Sequence, residues 1–299
     1  MRLVRYFVTV AHTRHFTRAA EQLFITQPAL SQAISKLERL LDAQLLVRDS
    51  RSVVLTSLGE RFLEKAEEIL KATDEALHVV MQARAERHRL LRVGFIPGVG
   101  AKMTLILEKT EQLVPGLTIQ TRRLDWIRQE SAVVEGDVEV GFARRPLAAP
   151  ELDSMTIESE PRYLCVNQRH RLSNRRSVSI TEIAGEPVVT SSTCPSVEWR
   201  DYWAVVPRPD NSEVRWGPAV DSLEEMLDVV SRGRGVCITA ASVAYGYQHT
   251  AVSFIPVIDV SESSVAMCWR RDNDSHLVHS IRKAAQAVIS TDRPANKSP

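Results

Sequence analysis

The sequence lacks an overall charge: 38 Lys and Arg stand against 37 Asp and Glu, a formal +1. That excludes a chain drawn as a whole to nucleic acid or to an anionic membrane. No apolar run approaches the roughly 20 residues of a membrane span. No leader pattern opens the chain, because Arg2 and Arg5 precede no continuous apolar stretch. Cysteine is scarce. Cys165, Cys194, Cys237 and Cys268 are far apart, and no CxxC or His/Cys cluster has metal-ligand spacing. No GxSxG, P-loop, HExxH or strand-borne GxGxxG occurs, and the eight histidines are scattered. A cytoplasmic, reduced protein is expected, one that is not an enzyme and needs no metal or cofactor. What the chain has in plenty is apolar content, 44% of 299 residues, enough for about two domain cores.

The near-neutral total hides a basic front. Residues 1–56 carry eight Lys and Arg against four Asp and Glu, a local net +4. Leu3, Phe7, Val10 and Ala11 have the spacing of a helix with one buried face. Thr17 is expected to cap a short second helix, RAAEQL, with Phe24 and Ile25 as the break after it. Thr26 is expected to cap a third helix, QPALSQAISKLERLL. Pro28 has no N–H, so the useful donor to the Thr26 hydroxyl is the amide of Ala29. At 100° per residue, Ala29, Leu30, Ala33, Ile34, Leu37, Leu40 and Leu41 fall on one arc, expected to face a core. The opposite arc carries Gln27, Ser31, Gln32, Ser35, Lys36, Glu38 and Arg39. Its first half is uncharged, unlike an ordinary solvated face. Short helix, turn and longer amphipathic helix make the helix-turn-helix pattern.

Two β-prone runs, Leu45–Val47 and Val53–Leu55, flank a polar turn and predict a hairpin, a wing beside the helices. Thr56 or Ser57 starts the next helix, and Ser57 to Glu60 has capping-box spacing. That helix is long, about 58–87. Phe62, Ala66, Ile69, Thr73, Ala76, Val80 and Ala83 step alternately by four and three, a heptad seam that predicts dimerisation. From Leu91 strands and helices alternate, which predicts an α/β domain with mainly parallel pairing. Residues 292–299 read as a disordered tail.

These residues resemble the LysR family of bacterial transcription regulators. The specific match is FTRAAEQLFITQPALSQAISKLERLL, then the wing, then VVLTSLGE opening the long helix. LLRVGF, RHRLSNRRSVSITEIAGEPVV and SRGRGVCITAASVA extend the resemblance over almost the whole chain. It implies an α+β multidomain fold. A winged helix-turn-helix (1–57) would be followed by a linker helix and hinge (58–90). A periplasmic-binding-protein-like effector domain (91–291) would have one lobe at 91–160 plus 265–291 and a second at 161–264. The resemblance further implies a homodimer, a dimer of dimers, and double-stranded DNA as partner, with no membrane. Asp42 and Leu46 depart from the family's usual Gly and Phe, Gln32 from a frequent Arg, and Val99 from a usual Ser or Thr.

On this reading Gln27, Ser31 and Gln32 would meet base edges, because Gln pairs bidentately with adenine and Ser donates or accepts. Pro28 would give apolar contact. Ser35, Lys36, Arg48 and Arg51, with Arg18 and Thr26, would meet phosphates. A two-fold dimer implies a pseudo-palindromic operator. In the effector domain, ligands are expected beyond the carboxyl ends of strands. That nominates Gly98, Val99, Gly100, Trp126, Arg144, Ser191, Ser192 and Thr193. A helix start, an Arg and a hydroxyl run together suggest a small carboxylate effector. Cys194, in a loop, keeps a redox sensor open as an alternative, and the α/β half alone would also suit a solute-binding protein.

Overall fold

Caps and turns fix the first three helices in the computed structural model, which describes residues 1–48, 53–191, 196–247 and 249–291. The chain divides into two compact units, Met1–Val80 and Met81–Pro299. In the first, α1 (Arg2–Thr13) buries Phe7, Val10 and Ala11 and ends on left-handed Arg14. α2 (Phe16–Gln22) is capped not by Thr17 but by His15, whose Nδ1 accepts from the Arg18 amide at 3.5 Å. An imidazole nitrogen fills the role expected of a hydroxyl two positions later. Phe24 makes the turn with φ 53° and is 95% exposed.

α3 (Gln27–Leu41) starts as expected: Thr26 Oγ1 accepts from Ala29 N at 3.4 Å. Its core stripe is narrower than the sequence arc. Leu30, Ile34 and Leu37 are buried, whereas Ala29, Leu40 and Leu41 are exposed. The core ends at Leu37 because the chain turns away at left-handed Asp42. Glu38 belongs to this turn and not to a free polar face. Its carboxylate accepts from the amides of Leu45 and Leu46 at 2.9 and 3.1 Å.

The wing is β1 (Leu46–Arg48) paired antiparallel with β2 (Val53–Leu55). α4 (Ser57–His88) is capped by Thr56, which accepts from Gly59 N at 2.9 Å, so the Ser57–Glu60 box is not used. Gly59 has to be glycine, since a Cβ there would lie 2.1 Å from the Leu45 carbonyl oxygen. Phe62 packs edge-on against Phe7 at 5.1 Å, and Ala66 is fully buried in the same core.

Among its described residues the second unit holds three sheets. The elements of its first lobe are β3 (Leu90–Phe95), α5 (Ala101–Leu113), β4 (Thr118–Arg123), α6 (Arg128–Val134), β5 (Val140–Arg144) and β6 (Leu152–Glu160). The chain then enters a second lobe. There lie β7 (Arg162–Asn167), a 3-10 turn at Ile180–Ile183, β8 (Val188–Ser191), α7 (Val197–Ala204), β9 (Trp216–Val220), α8 (Leu223–Ser231), β10 (Cys237–Ala240), α9 (Ala241–Gly246) and β11 (Val252–Pro256). It returns through β12 (Ser263–Arg270) and α10 (His276–Thr291) to the first sheet, whose order is β4-β3-β5-β12-β6. The expected mainly parallel pairing is not found. β3 pairs parallel with β4 and β5, but β12 comes back between β5 and β6 antiparallel to both. In the second lobe β7 is flanked antiparallel by β10 and β11, and β8 pairs parallel with β9. Strand periodicity reveals strands but not the direction of a long-range return. Each lobe has its own core, centred on Phe142, Met267 and Ile281 in the first and on Leu164, Val166 and Ile180 in the second.

Candidate functional site

In the first unit α3 presents Gln27, Pro28, Gln32 and Lys36 to solvent, with Ser31 and Ser35 half-buried beside them. Leu30, Ile34 and Leu37 hold the opposite side. Gln27 and Gln32 therefore stand on the exposed side of a helix whose N-terminus is capped and whose other side is packed. Arg18 on α2 is exposed as well. Thr26 spends its acceptor on the cap, which leaves its O–H to donate. The backbone of Arg48 ends β1, and Arg51 lies outside the described residues. On α4 the heptad positions divide. Phe62 and Ala66 serve the unit's own core, while Ile69, Ala76 and Val80 are exposed and Thr73, half-buried, returns its hydroxyl to the Ile69 carbonyl at 2.8 Å. Leu77 and Val79 are exposed on the same helix.

In the second unit Arg144, at the end of β5, is 4% exposed and fully engaged. It pairs with Glu160 at 2.7 Å and donates to the Gly98 carbonyl, to Ser242 Oγ at 2.7 Å and to Ser263 Oγ at 3.2 Å. Ser242, on α9 of the second lobe, gives its amide to the same Glu160 at 2.5 Å, and its hydroxyl lies 2.5 Å from the Gly98 carbonyl. Gln129 fixes the Arg144 backbone from α6 through both its amide N and O. These contacts form a clamp between the lobes. Gly98 is indispensable to it: φ is +76°, and a Cβ would lie 2.7 Å from Val243.

Two expectations need correction. Arg144 is not a free anion site, because Glu160 already neutralises it. Val99 is not a ligand contact, because it is 5% exposed and packed in the first lobe's core. The start of α5 at Gly100, nominated for an anion, already has the Glu158 carboxylate beside it, 3.0 Å from where a Cβ would sit.

A cavity of ≈ 80 Å³ opens next to the clamp. Ile96, Pro97, Trp126 and Arg144 line it from the first lobe. The rest comes from the second lobe: Thr190 and Ser191 of β8, Trp199, Arg200 and Trp203 of α7, Trp216 of β9, Leu223 and Met226 of α8, and Cys237 and Thr239 of β10. Trp126 meets Trp199 across the lobes, with ring centroids 5.9 Å apart, and Trp199 meets Trp203 at 6.0 Å. Thr190 Oγ1, Trp199 Nε1 and Trp203 Nε1 are buried without a hydrogen-bond partner. Trp126, Arg144 and Ser191 are thus brought together here, Gly98 stands in the adjoining clamp, and Ser192 and Thr193 lie outside the described residues.

The family model described as the LysR substrate binding domain matches residues 84–289. The one described as the bacterial regulatory helix-turn-helix protein, lysR family, matches residues 1–60. The chain belongs to the LysR family. Among curated relatives, the HTH-type transcriptional regulator YnfL of Escherichia coli K12 is 32% identical, over 90% of this chain and 90% of its own. The Hca operon transcriptional activator HcaR of the same organism is 29% identical, over 91% and 92%. Among solved structures, full-length BenM aligns over 99% of both chains with 25% identity and a TM-score of 0.57.

In this LysR-type regulator the aromatic wall apart from Trp126 comes from residues that the sequence patterns do not single out. α7 and β9 carry Trp199, Trp203 and Trp216, yet neither segment shows a clear apolar period. The available signal was composition, since three of the five tryptophans fall within one short segment. Two of the described cysteines, Cys165 and Cys268, are poor nucleophiles. The side-chain hydrogen bond with Cys237, its register partner across β7 and β10, and then burial hold Cys165 well above the ordinary thiol range. Burial pushes Cys268 up to about 12. Cys194 lies outside the described residues. No helix among the described residues is long and apolar enough to cross a membrane.

Proposed function

We propose that this regulator reads a pseudo-palindromic DNA operator through the exposed N-terminal face of α3, and that a small molecule held between the two lobes modulates that binding. The observation that carries the reading is the two-sided α3. Gln27, Pro28 and Gln32 are free on a helix that Leu30, Ile34 and Leu37 anchor. Base edges are met by uncharged hydrogen-bonding side chains near a recognition helix's start, and phosphates by Lys36, Arg18 and the wing. Residues 1–57 are assigned to DNA binding, 58–90 to dimerisation and the hinge, and 91–291 to effector binding. Exposed Ile69, Ala76 and Val80, with Leu77 and Val79, offer an apolar strip for a second copy of the chain, and two such dimers would give the tetramer. The site of action is cytoplasmic.

A gel shift with the DNA upstream of the protein's own gene, run over a salt series, tests this. A shift that weakens steeply with salt and is lost with a scrambled duplex is expected. Equal binding to both duplexes would sink the operator reading.

A further inference from the structure

The chemistry of the cavity walls narrows what the effector is. We propose that the cavity takes an uncharged, planar aromatic molecule bearing carbonyl or ether oxygens, and not a carboxylic acid. This rests on the reading that the cavity is the effector site.

Shape and surface argue for a flat ring. Trp126, Trp199, Trp203 and Trp216 line the space, and the first three already associate at 5.9 and 6.0 Å between centroids. Aromatic rings prefer such offset and tilted arrangements with one another, so an inserted ring finds partners on several sides.

The unmet hydrogen bonds argue for acceptors. Trp199 Nε1, Trp203 Nε1 and Thr190 Oγ1 are shut from solvent and unpartnered, and all three residues line the cavity. An indole N–H only donates, so two of the three groups can be satisfied by acceptor oxygens alone. Buried polar groups without partners are rare, and an acceptor in the ligand would supply what the protein does not.

The charges argue for neutrality. Among the described residues the cavity's cations are Arg144 and Arg200. Arg144 is neutralised by Glu160 and holds the Gly98 carbonyl, Ser242 and Ser263 besides. Arg200 gives two nitrogens to Asp201 Oδ1, at 2.7 and 2.9 Å, and its guanidinium lies over the Trp216 ring at 4.6 Å. The buried and unpaired Arg208 of the same lobe is not among the lining residues. A carboxylate in this space would be desolvated without an uncommitted counter-charge, which a neutral carbonyl compound avoids.

Calorimetric titration of the full-length protein with matched pairs tests this: methyl benzoate against benzoate, and methyl 2-naphthoate against 2-naphthoate. Each pair keeps the ring and the carbonyl and changes only the charge. The esters are expected to bind at least about ten-fold tighter than the acids. Thr190→Val, which keeps shape and removes a hydroxyl, and Trp203→Phe, which removes the N–H together with part of the ring, should each weaken the ester by about two- to ten-fold. Acids that bind as well as or better than the esters overturn the neutral class and leave the effector-cavity reading standing. Heat from neither pair, or ester binding that ignores both substitutions, overturns the assignment as well. If an ester binds with the expected sensitivity yet leaves the gel shift unchanged, the ligand class stands and the regulatory reading falls. The wild-type comparison of ester with acid decides the charge question even if a variant fails to fold.

Discussion

The two units place their polar groups in opposite ways. The first places Gln27 and Gln32 outside, on a helix that three apolar residues hold in place. The second places its polar groups inside, where each is either locked to another, as Arg144 is to Glu160, or left without a partner, as Trp199 and Trp203 are. A polymer with exposed edges is met by a protruding surface, and its readers can be changed one at a time. A small molecule is met by walls drawn from many segments, and a change in one wall is felt by the others.

The largest effect should come from breaking the clamp. Arg144→Ala leaves Glu160 buried and unpaired, and should destabilise the second unit by about 3–5 kcal/mol. Urea unfolding followed by tryptophan emission measures this, and a loss below 1 kcal/mol would mean that the pair behaves like a solvent-exposed one. On the other side of the comparison, Gln32→Ala should lose about 1–3 kcal/mol of base discrimination with little change in stability. Binding to a set of single-base operator variants reads this, and uniform weakening across the set would instead make Gln32 a phosphate contact. Thr26→Ala removes the cap on α3 and should cost about 1 kcal/mol of first-unit stability. Thermal melts of the isolated mutation check it, and an unchanged midpoint would show that the cap is dispensable. Smallest of the four, Lys36→Ala should weaken all DNA sequences alike and lower the salt slope by about 1. A sequence-dependent effect of Lys36→Ala would blur the division between readers and positioners on this helix.

The same contrast decides what the sequence makes legible. The start of α3 and the centre of its buried side are legible, because Thr26, Pro28 and Ala29 state the cap locally and Leu30, Ile34 and Leu37 state the buried side at helical spacing. Leu40 and Leu41 were misassigned because periodicity cannot see where the neighbouring helices end. In the second unit Trp126 and Ser191, nominated by the rule that ligands sit at strand ends, line the cavity. The commitment of Arg144 was not visible, since Glu160 and Ser242 reach it from distant stretches of chain. Val99 failed for a related reason: a loop residue between two glycines turned its side chain into a core assembled from other strands. The antiparallel return of β12 into the first sheet is likewise a product of the whole chain and of no local pattern.

The placement of the indoles has a practical consequence. No tryptophan occurs in residues 1–80, four of the five line the cavity, and the fifth, Trp269, is buried in the first lobe with the Arg282 guanidinium over its ring. The molecule therefore carries a built-in optical probe. Its tryptophan emission originates only in the second unit, and Trp269 provides a buried reference against which the cavity cluster brightens or dims. Events at the operator and events at the ligand can be followed separately in one cuvette, the first through a dye on the DNA and the second with no label at all.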